Sequence, residues 1–167
     1  MAELAPRERL QPSLLDRLTD HEPEAPVESR ERRVLSARAL REGVLRDLGW
    51  LLNATNLLSV TNAPALPHVA SSVLNYGMPD ISGASLAGMQ LGDLERAIRQ
   101  AIWDFEPRLN RSSVTVRAIP SESIAKVVFE IQGDLWAQPY PERLYLHTEL
   151  DLDVAHVRVT DQAGAAR

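Results

Sequence analysis

The chain has 167 residues, room for one domain of ordinary size plus a tail and too little for two full domains. It lacks cysteine, which excludes a disulfide framework, thiol catalysis and thiolate metal sites, while 44% hydrophobic and 25% charged residues are ordinary for a globular chain. A formal net charge of -5 argues against a nucleic-acid binder, and no apolar run approaches the roughly 18 residues of a membrane span, so no direct membrane insertion is expected.

The opening MAELAPRERLQPS has no apolar core of a secretory signal, and a cytoplasmic protein is expected. Residues 1–32 alternate in charge, carry Pro6, Pro12, Pro23 and Pro26, and lack glycine. Their one apolar cluster is Leu14, Leu15 and Leu18, with Ser13 placed as an N-cap. About two turns of helix cannot bury three leucines alone, so this segment reads as a mobile N-terminal arm with a short docking helix. An arm folded back on its own domain is the alternative. If the leucines dock on a partner, deletion of residues 1–29 weakens assembly without lowering the domain's melting temperature.

From about Arg33 the apolar period becomes helical. Ala37, Leu40, Val44, Leu48 and Leu51 recur at three- and four-residue spacing, and Asn53 to Asn56 supply the stop. A short helix is predicted from Pro67, a good first helical residue, to Gly77, a good residue past a helix end. The segment from Met78 to Gly92 reads as a long loop. A third helix is predicted over about Gly92 to Phe105, with Leu94, Ile98, Ala101, Ile102 and Phe105 on one side, ended by Pro107.

After Asn110 the period is two. Val114 and Val116, then Val127, Phe129 and Ile131 ending at Gly133, then Leu144, Leu146, Leu150 and Leu152 mark three strands. The parity flips to Val157 and Val159, which requires a turn near Asp153 to His156. Helices first and strands last predict an α+β fold, N-terminal helices packed on one face of a C-terminal antiparallel sheet. The predicted domain spans 33–160, with a disordered tail over 161–167.

No H-E-x-x-H pattern, G-x-S-x-G elbow or phosphate-binding glycine loop occurs, and no catalytic residue, metal site or cofactor is expected. His147, Glu149, Asp151 and Asp153 share one strand face, but same-face neighbours lie roughly 7 Å apart, too far for all four to hold one ion. They read as a solvated outer face. The sharpest local signal is Asp104, Glu106, Pro107 and Arg108. Carboxylates at a helix C-terminus oppose the helix dipole and need compensation. Pro107 pushes Glu106 toward extended geometry, which sets Glu106 and Arg108 on the same side of a rigid corner. That corner reads either as a local ion pair or as a charged clamp for a partner.

The segments PSLLDRLTD (Pro12 to Asp20), RDLGWLLN (Arg46 to Asn53), SVLNYGMPDISG (Ser72 to Gly83), FEPRL (Phe105 to Leu109) and TELDL (Thr148 to Leu152) occur in that order. Together they resemble the TssE subunits of bacterial type VI secretion baseplates, within the family of contractile-phage baseplate wedge proteins long labelled "lysozyme-like". The resemblance implies structural assembly. In that family the motif formed here by Glu106, Pro107 and Arg108 contacts the core bundle of the two larger wedge subunits. The sheet would then be a template on which the first ring of the contractile sheath adds strands. The implied partners are the other wedge subunits and the sheath subunits. If the chain is such a wedge subunit, charge reversal at Glu106 or Arg108 is expected to abolish co-purification with the wedge subunits while the fold stays intact. The alternative reading is a peptidoglycan hydrolase, motivated by the family label and the many carboxylates.

Overall fold

The computed structural model of the chain describes residues 13–19, 23–24, 36–61, 67–80, 90–119, 123, 125–136 and 141–162. Most of the expected arm, the centre of the expected loop at 81–89 and the end of the expected tail at 163–167 lie outside the described residues.

Helix α1 spans Leu14–Leu18, capped by the Ser13 hydroxyl, which accepts from the Asp16 N–H. Helix α2 spans Ala37–Asn53 and starts where the Ser36 hydroxyl accepts from the Ala39 N–H. Its apolar stripe buries Leu40, Val44, Leu48, Leu51 and Leu52, as the three- and four-residue spacing requires. Two short helices follow, α3 at Leu57–Val60 and α4 at Pro67–Ala70. The helix expected from Pro67 to Gly77 is therefore broken. Ser72 caps a separate 3₁₀ turn at Val73–Asn75, an instance of serine offering the backbone a local alternative to helix. The buried Asn75 side chain joins the pieces, accepting from Leu58 N–H and donating to the Ala70 carbonyl.

Helix α5 spans Leu91–Phe105 and buries Leu94, Ile98, Ala101 and Ile102. After a 3₁₀ turn at Arg111–Ser113 come β1 (Thr115–Ile119), β2 (Lys126–Leu135), β3 (Glu142–Asp151) and β4 (His156–Asp161). They form one antiparallel sheet in the order β1-β2-β3-β4. Strand β2 runs two residues past Gly133, which faces Leu109 and Val114. The turn between β3 and β4 is where the parity flip requires it, with Ala155 at φ 49°. Strand β4 ends at Asp161, one residue beyond the expected domain boundary.

Helices α2 and α5 pack on one face of the sheet, α2 along β4 and α5 along β1, so the fold is α+β as the order of periods predicts. Val116, Phe129, Ile131, Leu146, Leu150 and Val157 form the sheet's side of the core. The opposite face is polar. There Glu149 pairs with Lys126 at 2.5 Å, and the described residues hold no cluster of metal-ligating side chains.

Candidate partner-binding corner

At the end of α5 the backbone leaves helical geometry at Glu106 (φ -119°, ψ 78°). The following residues are fixed to the sheet: Trp136 N–H donates to the Arg108 carbonyl at 2.7 Å, and Asn110 N–H to the Asp134 carbonyl at 2.9 Å. The Asp104 carboxylate, unfavourable at this helix pole, accepts from Gln100 at 2.9 Å and lies 3.8 Å from Arg111. Arg111 also donates to the Trp103 carbonyl at 2.9 Å, satisfying one of the helix's last acceptors.

Glu106 and Arg108 do point to the same side, and that side is inward. The Glu106 residue is 4% exposed. Its two carboxylate oxygens accept from Arg108 Nε at 2.6 Å and Nη2 at 2.5 Å, a bidentate pair. Arg108 Nη2 also donates to Asp47 of α2 at 2.6 Å. Asp47 accepts in turn from Arg46 Nε at 2.9 Å, and Arg46 Nη1 donates to Asp16 of α1 at 2.6 Å. Ser13 Oγ donates to the other oxygen of Asp16 at 2.7 Å. Five charges of alternating sign thus run from the corner, across α2, to α1.

The electrostatics follow from this order. Burial would lower the Arg108 guanidinium, but Glu106 and then Asp47 outweigh it and its pKa is raised. The hydrogen bond from Arg46 holds the Asp16 carboxyl below its ordinary value, and Asp16 raises Arg46 in return. Burial, then Asp47 and Glu106, raise the Tyr76 phenol. Arg108, Arg46, Asp16 and Tyr76 therefore keep their ordinary charge states near neutrality.

Beside the row of charges lies an open groove of about 530 Å³, walled by Leu15, Trp50, Tyr76, Phe105, Pro107 and Arg108. Tyr76 and Phe105 meet edge to face at 5.3 Å, and the Arg46 guanidinium lies 5.1 Å from the Trp50 ring centre. Pro107 and Trp50 are exposed, the latter by 53%. Four segments far apart in sequence therefore supply one concave surface with an apolar floor and a charged edge.

Sequence reasoning singled out Glu106, Pro107 and Arg108, and the structure keeps them together. It missed Asp47, Arg46, Asp16, Trp50 and Tyr76 as members of the same site, although each lies in a quoted segment. Adjacent Arg46 and Asp47 on the polar side of α2 carry no distinct signal, because a solvated helix face explains them equally well from sequence.

The family model of baseplate wedge protein gp25 matches residues 38–140, more than half of the chain. The chain belongs to that family. No curated protein and no solved structure matched it. The gp25 match covers α2, the corner and the first two strands, and so takes in Asp47 and Glu106 to Arg108. Members of the gp25 family are structural parts of a baseplate, which work by joining other baseplate components. Among the described residues no helix is long and apolar enough to cross a membrane.

Proposed function

We propose that the protein is the wedge subunit of a type VI secretion baseplate, acting in the cytoplasm to join the core bundle of the larger wedge subunits to the first ring of the contractile sheath. The observation that supports this most is the convergence of four sequence segments on one groove beside a corner whose charges are already paired. Such a surface can bind without leaving a buried ion unpartnered, the condition under which charged interfaces gain affinity. Helix α1 forms a second wall of the groove through Leu15, while Leu14 and Leu18 are 70% and 74% exposed. The partner is a helical surface that covers these leucines, Trp50 and Pro107. The hydrolase reading gains nothing from this groove. Asp16, Asp47 and Glu106 are all hydrogen-bonded to arginine, whereas a general acid is a carboxyl held protonated.

The burial of Glu106 changes how the reading must be tested. Reversing Glu106 or Arg108 breaks a buried pair, with an expected cost of about 3–5 kcal/mol, so reduced capture by such a variant would mix lost binding with lost stability. The exposed walls give the cleaner variant. Trp50→Ala combined with Leu15→Ser is expected to leave the melting temperature nearly unchanged and to weaken capture of the larger wedge subunits at least about tenfold, the loss of one aromatic hot spot. Undiminished capture by the folded double variant would sink the proposal.

A further inference from the structure

Residues 48–79 hold no Asp, Glu, Lys or Arg, although a stretch of that length in a chain with 25% charged residues would carry about eight. The segment includes the end of α2, helices α3 and α4 and the 3₁₀ turn at Val73–Asn75. Its burial is inverted. From Asn53 to Leu74 no described residue is buried, and the turn hides its one polar side chain, Asn75, while Val73 and Leu74 are 82% and 66% exposed. Leu57 and Val60 of α3 are exposed as well.

Asn75 holds this arrangement. Its Oδ1 accepts from the Leu58 N–H at 3.0 Å and its Nδ2 donates to the Ala70 carbonyl at 2.8 Å, so one amide clamps α3 and α4 to the turn. The Ser72 hydroxyl accepts from the Leu74 N–H at 3.3 Å and fixes the turn from its other end. A buried amide beside an exposed valine and leucine reverses the usual distribution, and the isolated chain gains no apolar burial from it. The next residue, Tyr76, walls the groove beside the Glu-Pro-Arg corner, as Trp50 does. The uncharged segment thus supplies part of the groove and continues from it.

We infer that Val73 and Leu74, with Leu57 and Val60, form an uncharged docking surface, continuous with the groove, for an apolar surface of the larger wedge subunits. This rests on the wedge-joining half of the function proposed above and adds a second contact to it. The chemistry of the segment specifies the occupant. Charged residues are depleted from the buried centre of protein interfaces, and residues 48–79 carry none. A nucleic acid or an anionic lipid surface is met by Lys or Arg, which the segment lacks. A charged peptide would lose hydration there without gaining a counter-charge. The groove binds beside a charged edge and this surface without one, so the two contacts differ in their response to salt.

The test titrates the full chain into the purified larger wedge subunits. Val73→Ser combined with Leu74→Ser removes apolar area from positions that lie in solvent, so the melting temperature is expected to stay unchanged. Affinity is expected to fall at least about tenfold, by the same factor at low and at high salt, because no charge is altered. Val73→Ile combined with Leu74→Met keeps the surface apolar and is expected to keep the affinity. Parent-like binding by the folded serine variant overturns the docking surface and leaves the groove standing. A serine effect that fades as salt is added overturns it too, since an apolar contact is not screened. The serine change might instead abolish self-association of the free chain, or its binding to phosphatidylcholine vesicles, with wedge binding intact. Either result would give the surface to a second copy or to a bilayer and overturn the proposal. Failure of the parent chain itself to bind the larger wedge subunits overturns the function proposed above, and the occupant named here falls with it.

Discussion

Thr148 sits mid-strand in β3 at 1% exposure, and its hydroxyl has no hydrogen-bond partner among the described residues. It faces a void of about 20 Å³ lined by Leu94, Ile98, Phe129 and Val157. One water fits such a space, but a buried water needs two or more polar partners and this lining offers one hydroxyl. An unsatisfied buried hydroxyl is destabilising, so Thr148→Val is expected to stabilise the protein by about 1 kcal/mol. The urea midpoint should rise with an unchanged slope; a lower midpoint would show that the hydroxyl is satisfied after all. The core position of Thr148 was legible, because it shares the parity of Leu144, Leu146 and Leu150. The role of Asp47 was not. Its partner Arg108 lies 61 positions away, and no local pattern encodes a contact of that range.

Elements with a wide apolar stripe were legible, and elements held by single side chains were not. Helices α2 and α5 and all four strands follow from period alone, since burial dictates both the period and the fold. Helix α3 and the break after α4 depend on Asn56, Ser72 and Asn75 bonding nearby backbone groups, which periodicity does not carry. Gly77 shows the same limit. Its place after an apolar stretch suggests the residue past a helix end, whereas its actual work is to let two chain segments touch. At φ +122° it precedes Met78, whose N–H donates to the Ala54 carbonyl at 2.7 Å and whose carbonyl accepts from Asn56 at 2.8 Å. A Cβ here would lie 2.3 Å from the Ala54 oxygen. Gly77→Ala is therefore expected to cost at least about 2 kcal/mol, from the strained backbone and the clash together. A urea midpoint equal to that of the parent chain would mean that the bridge after α2 rearranges freely.

At the scale of the whole molecule, the question is how α1 belongs to the domain. The corner was half legible: the Glu-Pro-Arg turn announced itself, while its connection to α1 through Arg46 and Asp47 appears only once α2 is placed between them. That connection is electrostatic. Asp16 has its pKa held below the usual 3.8 by Arg46, so the pair contributes fully above pH 3.8 and is lost as pH falls through the lower folded value. The Asp16 carboxyl resonance is expected to titrate with a midpoint below 3.8, accompanied by a change in Trp50 fluorescence as the Arg46 guanidinium over its ring loses the bond to Asp16. A midpoint at or above 3.8 would mean that α1 is not held there in solution. The same pair sets the outcome of deleting residues 1–29. Asp16 and Arg46 are 22% and 34% exposed, and an ion pair of that kind is worth about 0–1 kcal/mol. The leucines of α1 add little, because they are 44–74% exposed. For a chain of this size 1 kcal/mol shifts the melting temperature by about 2–4 °C, so the deletion is expected to lower it by no more than that. Capture of the larger wedge subunits should fall much more steeply, because the groove loses the wall formed by Leu15. A melting temperature that drops several times further, with capture reduced only in proportion, would make α1 a structural brace of the domain instead of a wall of its binding groove.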